Sequence, residues 1–155
     1  MPRMRTALIL CAWLLLAPLA RAVEVPVLVS VQADLREMQQ RKLPMVLLVH
    51  APGCGYCHYV MEEHLKPMIL SGKYVGRALI RQVAADDADD LLDAYGRTVS
   101  GRAFARSLGV RFFPTVLILG PDGQVLGEPL VGVANIDLYG TQLEFALQKA
   151  EASLK

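Results

Sequence analysis

The sequence predicts one α/β domain, a central sheet covered by helices, behind a removable leader. Three observations predict it. Residues 45–49, MVLLV, are apolar at every position, as in a strand buried on both faces. Segments of helical and of strand periodicity alternate along the chain from residue 31 onward. Cys54 and Cys57 sit where that apolar strand gives way to a helix. The 155 residues are 54% hydrophobic, 20% charged and 6% aromatic, which excludes a disordered chain. The 16 Lys and Arg nearly cancel the 15 Asp and Glu, so no global field points to nucleic acid or an anionic membrane as partner.

Residues 1–22, MPRMRTALILCAWLLLAPLARA, have the basic start, the apolar run from Ala7 to Ala17 and the Ala20-Arg21-Ala22 ending of a secretory signal peptide cut after Ala22. An uncleaved anchor calls for an apolar span of about 20 residues. Cys11 lies inside the run, behind Ile9 and Leu10, and does not suit a lipoprotein. Loss of Arg3, Arg5 and Arg21 turns 16 basic against 15 acidic residues into 13 against 15, a net charge of −2. The remaining 133 residues, 23–155, are one exported domain, large enough to bury a core without disulfide staples. The expected location is the periplasm. Only Cys54 and Cys57 remain, and the loop between them is too short to restrain an unfolded chain much, so their purpose is chemical.

Ser30 is a plausible N-cap for a helix over 31–42, with Val31, Leu35 and Met38 at helical spacing and Pro44 to end it. Residues 45–49 form the central strand. After the turn APGCGYC, Cys57, Met61, Leu65 and Met68 recur at helical intervals, so a helix starts at the cysteines, and Pro67 should kink or break it. ALIRQVA, 78–84, reads as a second strand. DDADDLLDAYG, 86–96, reads as an acid-started helix or ordered loop closed by Gly96. Ser100 caps GRAFARSL, and Gly109 stops it. PTVLIL is a strand, PDG a turn and QVLGEPLVG a short strand interrupted by Gly127 and Pro129. A closing helix spans 136–154, its buried stripe made of Ile136, Leu143, Leu147, Ala150 and Leu154.

A Cys-x-x-Cys pair between a buried strand and a helix N-terminus places the first sulfur where unpaired amides and the helix dipole stabilise a thiolate. Cys54 is then the nucleophile. Cys57, one turn in and on the buried stripe, is the resolving cysteine that attacks a mixed disulfide formed at Cys54. Gly55 and Tyr56 allow the tight turn and tune the thiolate. The pattern admits other readings: CGYCH is formally a haem-attachment motif with His58 as axial ligand, and Cys54, Cys57, His58 and His64 offer zinc ligands, though without a second pair at a familiar spacing. Pro114, opening an apolar strand, gives up a ladder hydrogen bond and belongs at a strand start, an edge or a cis turn.

The strand MVLLV, the CGYC centre opening a helix, and the downstream run GVRFFPTVLILGPDGQVL followed by Gly132 together resemble the thioredoxin family, over about residues 30 to 152. The resemblance implies a thioredoxin fold with a mixed sheet, a cis-proline at Pro114 facing the sulfurs, and Phe113 offering main-chain bonds to a bound peptide. Tyr56 is then a partner contact. The chain departs from the family pattern at Gly53, where a tryptophan is usual, and at Leu48, where ordinary thioredoxins carry a buried acid that helps move the proton of the second cysteine. The stretch between Cys57 and Pro114 is longer than in thioredoxin, and an insertion within residues 86–103 resembles periplasmic thioredoxin-like proteins of the SoxW type.

The implied activity is thiol-disulfide exchange on protein thiols and disulfides, with no cofactor and no metal, in a monomer whose dithiol is restored by an envelope electron donor such as a membrane thiol-reducing system. Reduction of envelope disulfides is the expected direction. A disulfide-donating oxidase of the same fold, or a module that recruits a client without turnover, are the alternatives. His58 and Glu62 fall at i and i+4 on the exposed side of the active-site helix, where His58 reads as a solvated surface residue rather than a positive charge holding the Cys54 thiolate; His50, which ends the strand, and His64, near the stripe, read as structural. The run Asp86, Asp87, Asp89, Asp90 lacks the glycine and glutamate of a calcium loop and reads as a dipole-favoured helix start.

Overall fold

The computed structural model describes residues 22–155; all of the predicted leader but its last residue, Ala22, lies outside the described residues. Ser30 opens α1 (Val31–Arg41), its Oγ accepting from the Ala33 N–H at 3.2 Å. The helix stops at Lys42 rather than at Pro44. Lys42 takes a left-handed conformation (φ 54°), and its N–H and that of Leu43 both donate to the Met38 carbonyl.

β1 (Met45–His50) is an inner strand, as its unbroken apolar run requires. It pairs in parallel with β2 (Leu79–Ala84) and antiparallel with β5 (Thr115–Leu119), which in turn pairs antiparallel with β6 (Leu130–Val131). The sheet is therefore mixed, in the order β2-β1-β5-β6. Alternate residues of β1 feed two separate cores. Met45, Leu47 and Val49 pack with Val31, Met38, Leu79, Val83 and Phe104, under the helices of one face. Val46 and Leu48 pack with Val60, Leu65, Val116, Ile118, Tyr139, Leu143 and Leu147, under the helices of the other.

The helix that follows the cysteines is not broken at Pro67. It runs as α2 (Gly55–Val60), a π-helical turn (Met61–Leu65) and α3 (Lys66–Leu70). The Lys66 N–H reaches back to the Met61 carbonyl, five residues away, and the widened turn absorbs the bond that proline cannot make. The buried positions step from Val60 to Leu65, leaving Met61 only half-buried.

Residues 86–96 form neither a helix start nor a simple loop. They lead into a hairpin of β3 (Asp90–Leu92) and β4 (Thr98–Ser100). The Asp93 carboxylate accepts from the Tyr95 and Arg97 N–H groups at 2.8 and 2.9 Å and from Arg97 Nε at 2.8 Å, an aspartate turn that outcompetes helix formation. Leu91 is buried between exposed neighbours, the alternation of a strand. The hairpin joins the main sheet through the segment before α1: Leu28 N–H donates to the Gln82 carbonyl, and Leu92 N–H to that of Val29.

Ser100 caps α4 (Gly101–Ser107) through its Oγ, as expected. Gly101 packs so closely on β2 that a Cβ there would lie 2.0 Å from the Ala84 carbonyl oxygen. α5 (Ile136–Ser153) starts at Asn135, whose Oδ1 accepts from the Asp137 and Leu138 N–H groups. Its buried stripe is Tyr139, Leu143, Leu147 and Ala150. Ile136, predicted to be buried, is 53% exposed because Tyr139 fills the first turn's place against the sheet, and Leu154 is half-buried. Arg77 fastens the end of α5 by pairing with Glu144 and Glu151, each at 2.8 Å. Among the described residues no helix is long and apolar enough to cross a membrane.

Candidate active site

β1 ends at His50, and the chain turns through Pro52 and Gly53, the latter at φ +71°, before α2 begins. This turn delivers Cys54 to the N-cap of α2 in extended conformation (φ −84°, ψ 106°), where its Sγ accepts from the Cys57 N–H at 3.2 Å. A sulfur in this position receives an amide that has no partner inside the helix and sits at the positive end of the peptide dipoles. Both effects favour a thiolate over a thiol. Cys54 is half-buried, whereas Cys57, one turn along, is 1% exposed. The two are joined in a disulfide, S–S 2.07 Å and Cα–Cα 5.2 Å.

Gly55 and Tyr56 form the first turn of α2 between the cysteines, with Tyr56 56% exposed. Phe113 and Pro114 come to the same end of the sheet by register. Thr115, which follows Pro114, pairs with Val49, the next-to-last residue of β1. The Phe113–Pro114 peptide bond is cis. Pro114 is buried, and its carbonyl accepts from the Gly132 N–H at 2.7 Å. Thr115 Oγ1 donates to the Phe112 carbonyl at 2.7 Å and so fixes the loop before the strand. Phe112 is 70% exposed; sequence reasoning did not single it out, although the doubled aromatic before the proline was a visible signal.

The ionisable groups around the disulfide are few. Leu48, at the position of the thioredoxin acid, is fully buried in an apolar cluster. His58 is exposed, and its Nδ1 stands 3.8 Å from Glu62 Oε1, beyond hydrogen-bond reach. Glu62 instead pairs with Lys66 at 2.7 Å, which holds its carboxyl below the usual range. Burial lowers the His50 pKa, and the neighbouring Asp86 opposes this in part. His64 lies between α2 and α5 with Nε2 3.2 Å from the Tyr59 hydroxyl and its ring 5.0 Å from that of Tyr139; burial lowers its pKa too. Tyr139 is buried, and its hydroxyl has no partner among the described residues.

The remaining sequence candidates are placed elsewhere. Asp87 accepts from Ser100 Oγ and Arg102 Nε, and Asp86 from the Ala88 N–H, so these carboxylates brace the hairpin. Among the described residues no three His, Cys, Asp or Glu side chains gather as for a metal ion. The sulfurs that a haem would need are bonded to each other, in an α/β setting rather than a small helical one.

The sequence matches the family described as Thioredoxin-like domain over residues 31–147. A comparison with curated proteins finds no match. Similar solved structures include a thioredoxin of Malassezia sympodialis, 18% identical with a TM-score of 0.55, covering 86% of this chain and 98% of that one. Mitochondrial thioredoxin 3 of Saccharomyces cerevisiae in its oxidized form is 22% identical with a TM-score of 0.51, covering 80% and 93%. Thioredoxin f of spinach chloroplast is 22% identical with a TM-score of 0.50, covering 84% and 98%. At these identities the likeness is one of fold.

Proposed function

With the chain a member of the thioredoxin-like family and a thiol-disulfide oxidoreductase, we propose that it works in the periplasm, where it reduces disulfides of envelope proteins through Cys54 and Cys57. The observation that carries this reading is the half-buried Cys54 sulfur held on the Cys57 N–H at the start of α2, with Cys57 shielded beneath it. The signal-peptide pattern of residues 1–22 supports export.

In the reduced protein the Cys54 thiolate attacks one sulfur of a substrate disulfide and forms a mixed disulfide, and the other substrate sulfur leaves as a thiolate. Cys57 then loses its proton and attacks Cys54 Sγ. This releases the second substrate thiolate and leaves the Cys54–Cys57 disulfide. Two electrons have passed to the substrate, whose thiolates take up protons from water. An envelope dithiol donor reverses the bond and restores the pair. With Leu48 in place of an acid, the Cys57 proton leaves through water or the departing thiolate. Phe113 and Pro114 align the substrate chain beside Cys54, Tyr56 and Gly55 contact it from the other side, and the protein acts as a monomer.

The deciding measurement is the equilibrium of the pair in glutathione redox buffers, read by thiol labelling. A potential near about −270 mV, the thioredoxin value, supports a reductase. One near about −120 mV reverses the direction and makes the protein a disulfide donor. Cys54→Ala should abolish exchange, and Cys57→Ser should trap mixed disulfides with its substrates; a variant that traps none removes the resolving role from Cys57.

A further inference from the structure

Next to the disulfide end of the sheet lies a cavity of about 520 Å³ between α4, the end of β2 and the loop that carries Phe113. Its buried walls are Ala85, Ala105 and Val110, and its exposed lining is Arg102, Arg106, Arg111 and Phe113. No acidic residue lines it. Ala85 follows β2 and donates its N–H to the carbonyl of His50, the last residue of β1 before the active-site turn. Phe113 precedes Pro114. The cavity therefore shares two of its walls with the elements that present the redox pair.

The three guanidinium groups are not equivalent. Arg102 is engaged, its Nε 2.7 Å from Asp87 Oδ2. Among the described residues the guanidinium groups of Arg106 and Arg111 have neither a direct ion-pair nor a hydrogen-bond partner, although the charge of Arg106 is felt by Asp87, the carboxylate that Arg102 holds. Arg102 and Arg106 stand at i and i+4 on the exposed side of α4, so their charges project together, and Arg111 joins them from beyond Gly109. This cluster runs against the sign of the domain as a whole, which holds 13 basic residues, these three included, and 15 acidic ones from position 23 onward. An acidic partner is weakly repelled by the molecule as a whole and attracted at this place, which fixes its orientation as well as its affinity. A guanidinium also accepts a carboxylate as a two-pronged, planar partner, which an ammonium does not.

We infer that this cavity takes an aspartate or glutamate side chain flanking the substrate cysteine, held by Arg106 and Arg111 against the Phe113 wall, so that the protein selects disulfides in acidic segments. The inference rests on the reductase reading above and names the substrate class of that site.

The test uses three oxidised peptides, each with one internal disulfide, identical except that the flanking residues are two Glu, two Gln or two Lys. The reduced protein is assayed for kcat/KM on each. The expected ratio of the Glu to the Lys peptide is about tenfold at low ionic strength, shrinking toward one at about 0.5 M salt. The double variant Arg106→Glu, Arg111→Glu should reverse the ratio. Because each protein is read as a ratio, a general loss of activity in the variant cancels. The salt series on the unaltered protein needs no variant at all. Equal rates on all three peptides overturn the inference and leave the reductase reading standing, as does a preference that survives the charge reversal. Failure to reduce any of the three overturns the reductase reading itself, and the inference with it.

Discussion

Replacing Tyr139 by phenylalanine should make the protein more stable. Tyr139 is 1% exposed, packed in the core against the sheet with its ring 5.0 Å from that of His64, and its hydroxyl donates to nothing and accepts from nothing among the described residues. An unsatisfied buried hydroxyl costs about 1–3 kcal/mol. Burial drives its pKa far above the ordinary 10, with Tyr59 adding to the effect, so the group stays neutral and no charge enters the account. Against the gain stands the space vacated by one oxygen. Roughly 12 Å³ at about 24 cal/mol per Å³ returns about 0.3 kcal/mol. The net expectation is a gain of about 1 kcal/mol, a rise of about 3–5 °C in Tm for a domain of this size. Urea titration of the oxidised protein should show the midpoint rising by about 0.5 M with an unchanged slope. A midpoint that falls by as much refutes the reasoning, because it means the hydroxyl is paired and its loss breaks a bond.

Three other outcomes follow from the same geometry. His50 and His64 both titrate below their ordinary 6.5, chiefly through burial, so the unfolded chain binds their protons more readily than the folded one. Stability is then complete above pH about 6.5 and falls as pH drops below it toward the folded pKa values; urea midpoints at pH 8 and pH 5.5 read this, and equal midpoints contradict it. Gly53→Trp, which restores the usual family residue, places a side chain at φ +71°, and the strain should lower stability by about 1 kcal/mol although a Cβ there meets nothing. Gly101→Ala should cost about 2–3 kcal/mol, because the Ala84 carbonyl must move; a variant with an unchanged midpoint shows that α4 slides freely on β2.

The parts of the fold legible in sequence are those governed by a few neighbouring residues. Ser30 and Ser100 cap helices where predicted, MVLLV is an inner strand, and the cysteine pair marks the junction of strand and helix. What escaped depends on distant partners or on competition between equal local preferences. The acids of residues 86–90 favour a helix start, but the three donors that converge on Asp93 make a turn, and Leu28 and Val29 supply the edge onto which the hairpin is tied. Lys42 has no glycine signature, yet it ends α1 in the left-handed region. Tyr139, four residues before Leu143, was left out of the predicted stripe, yet it is buried there, the area of its ring outweighing its one polar atom. In the site, Cys54 and Cys57 were readable because their spacing is the chemistry. Arg106 and Arg111 were not, because only the fold sets α4 and the loop before β5 around one cavity.

The widened turn at Met61–Leu65 has a consequence for how the disulfide is aimed. A helix of constant pitch has one phase, so whatever fixes its far end also fixes the direction of its first residues. One extra residue in a single turn shifts that phase by roughly 100°. Ahead of the shift Cys57 and Val60 face the core, and behind it Leu65 and Met68 do. The two halves thus belong to separate seatings joined by a hinge of fixed offset. Core substitutions around Met68 can be absorbed without swinging the sulfurs, whereas deletion of one residue within 61–65 would rotate Cys57 off its seat although both cysteines remain in the sequence.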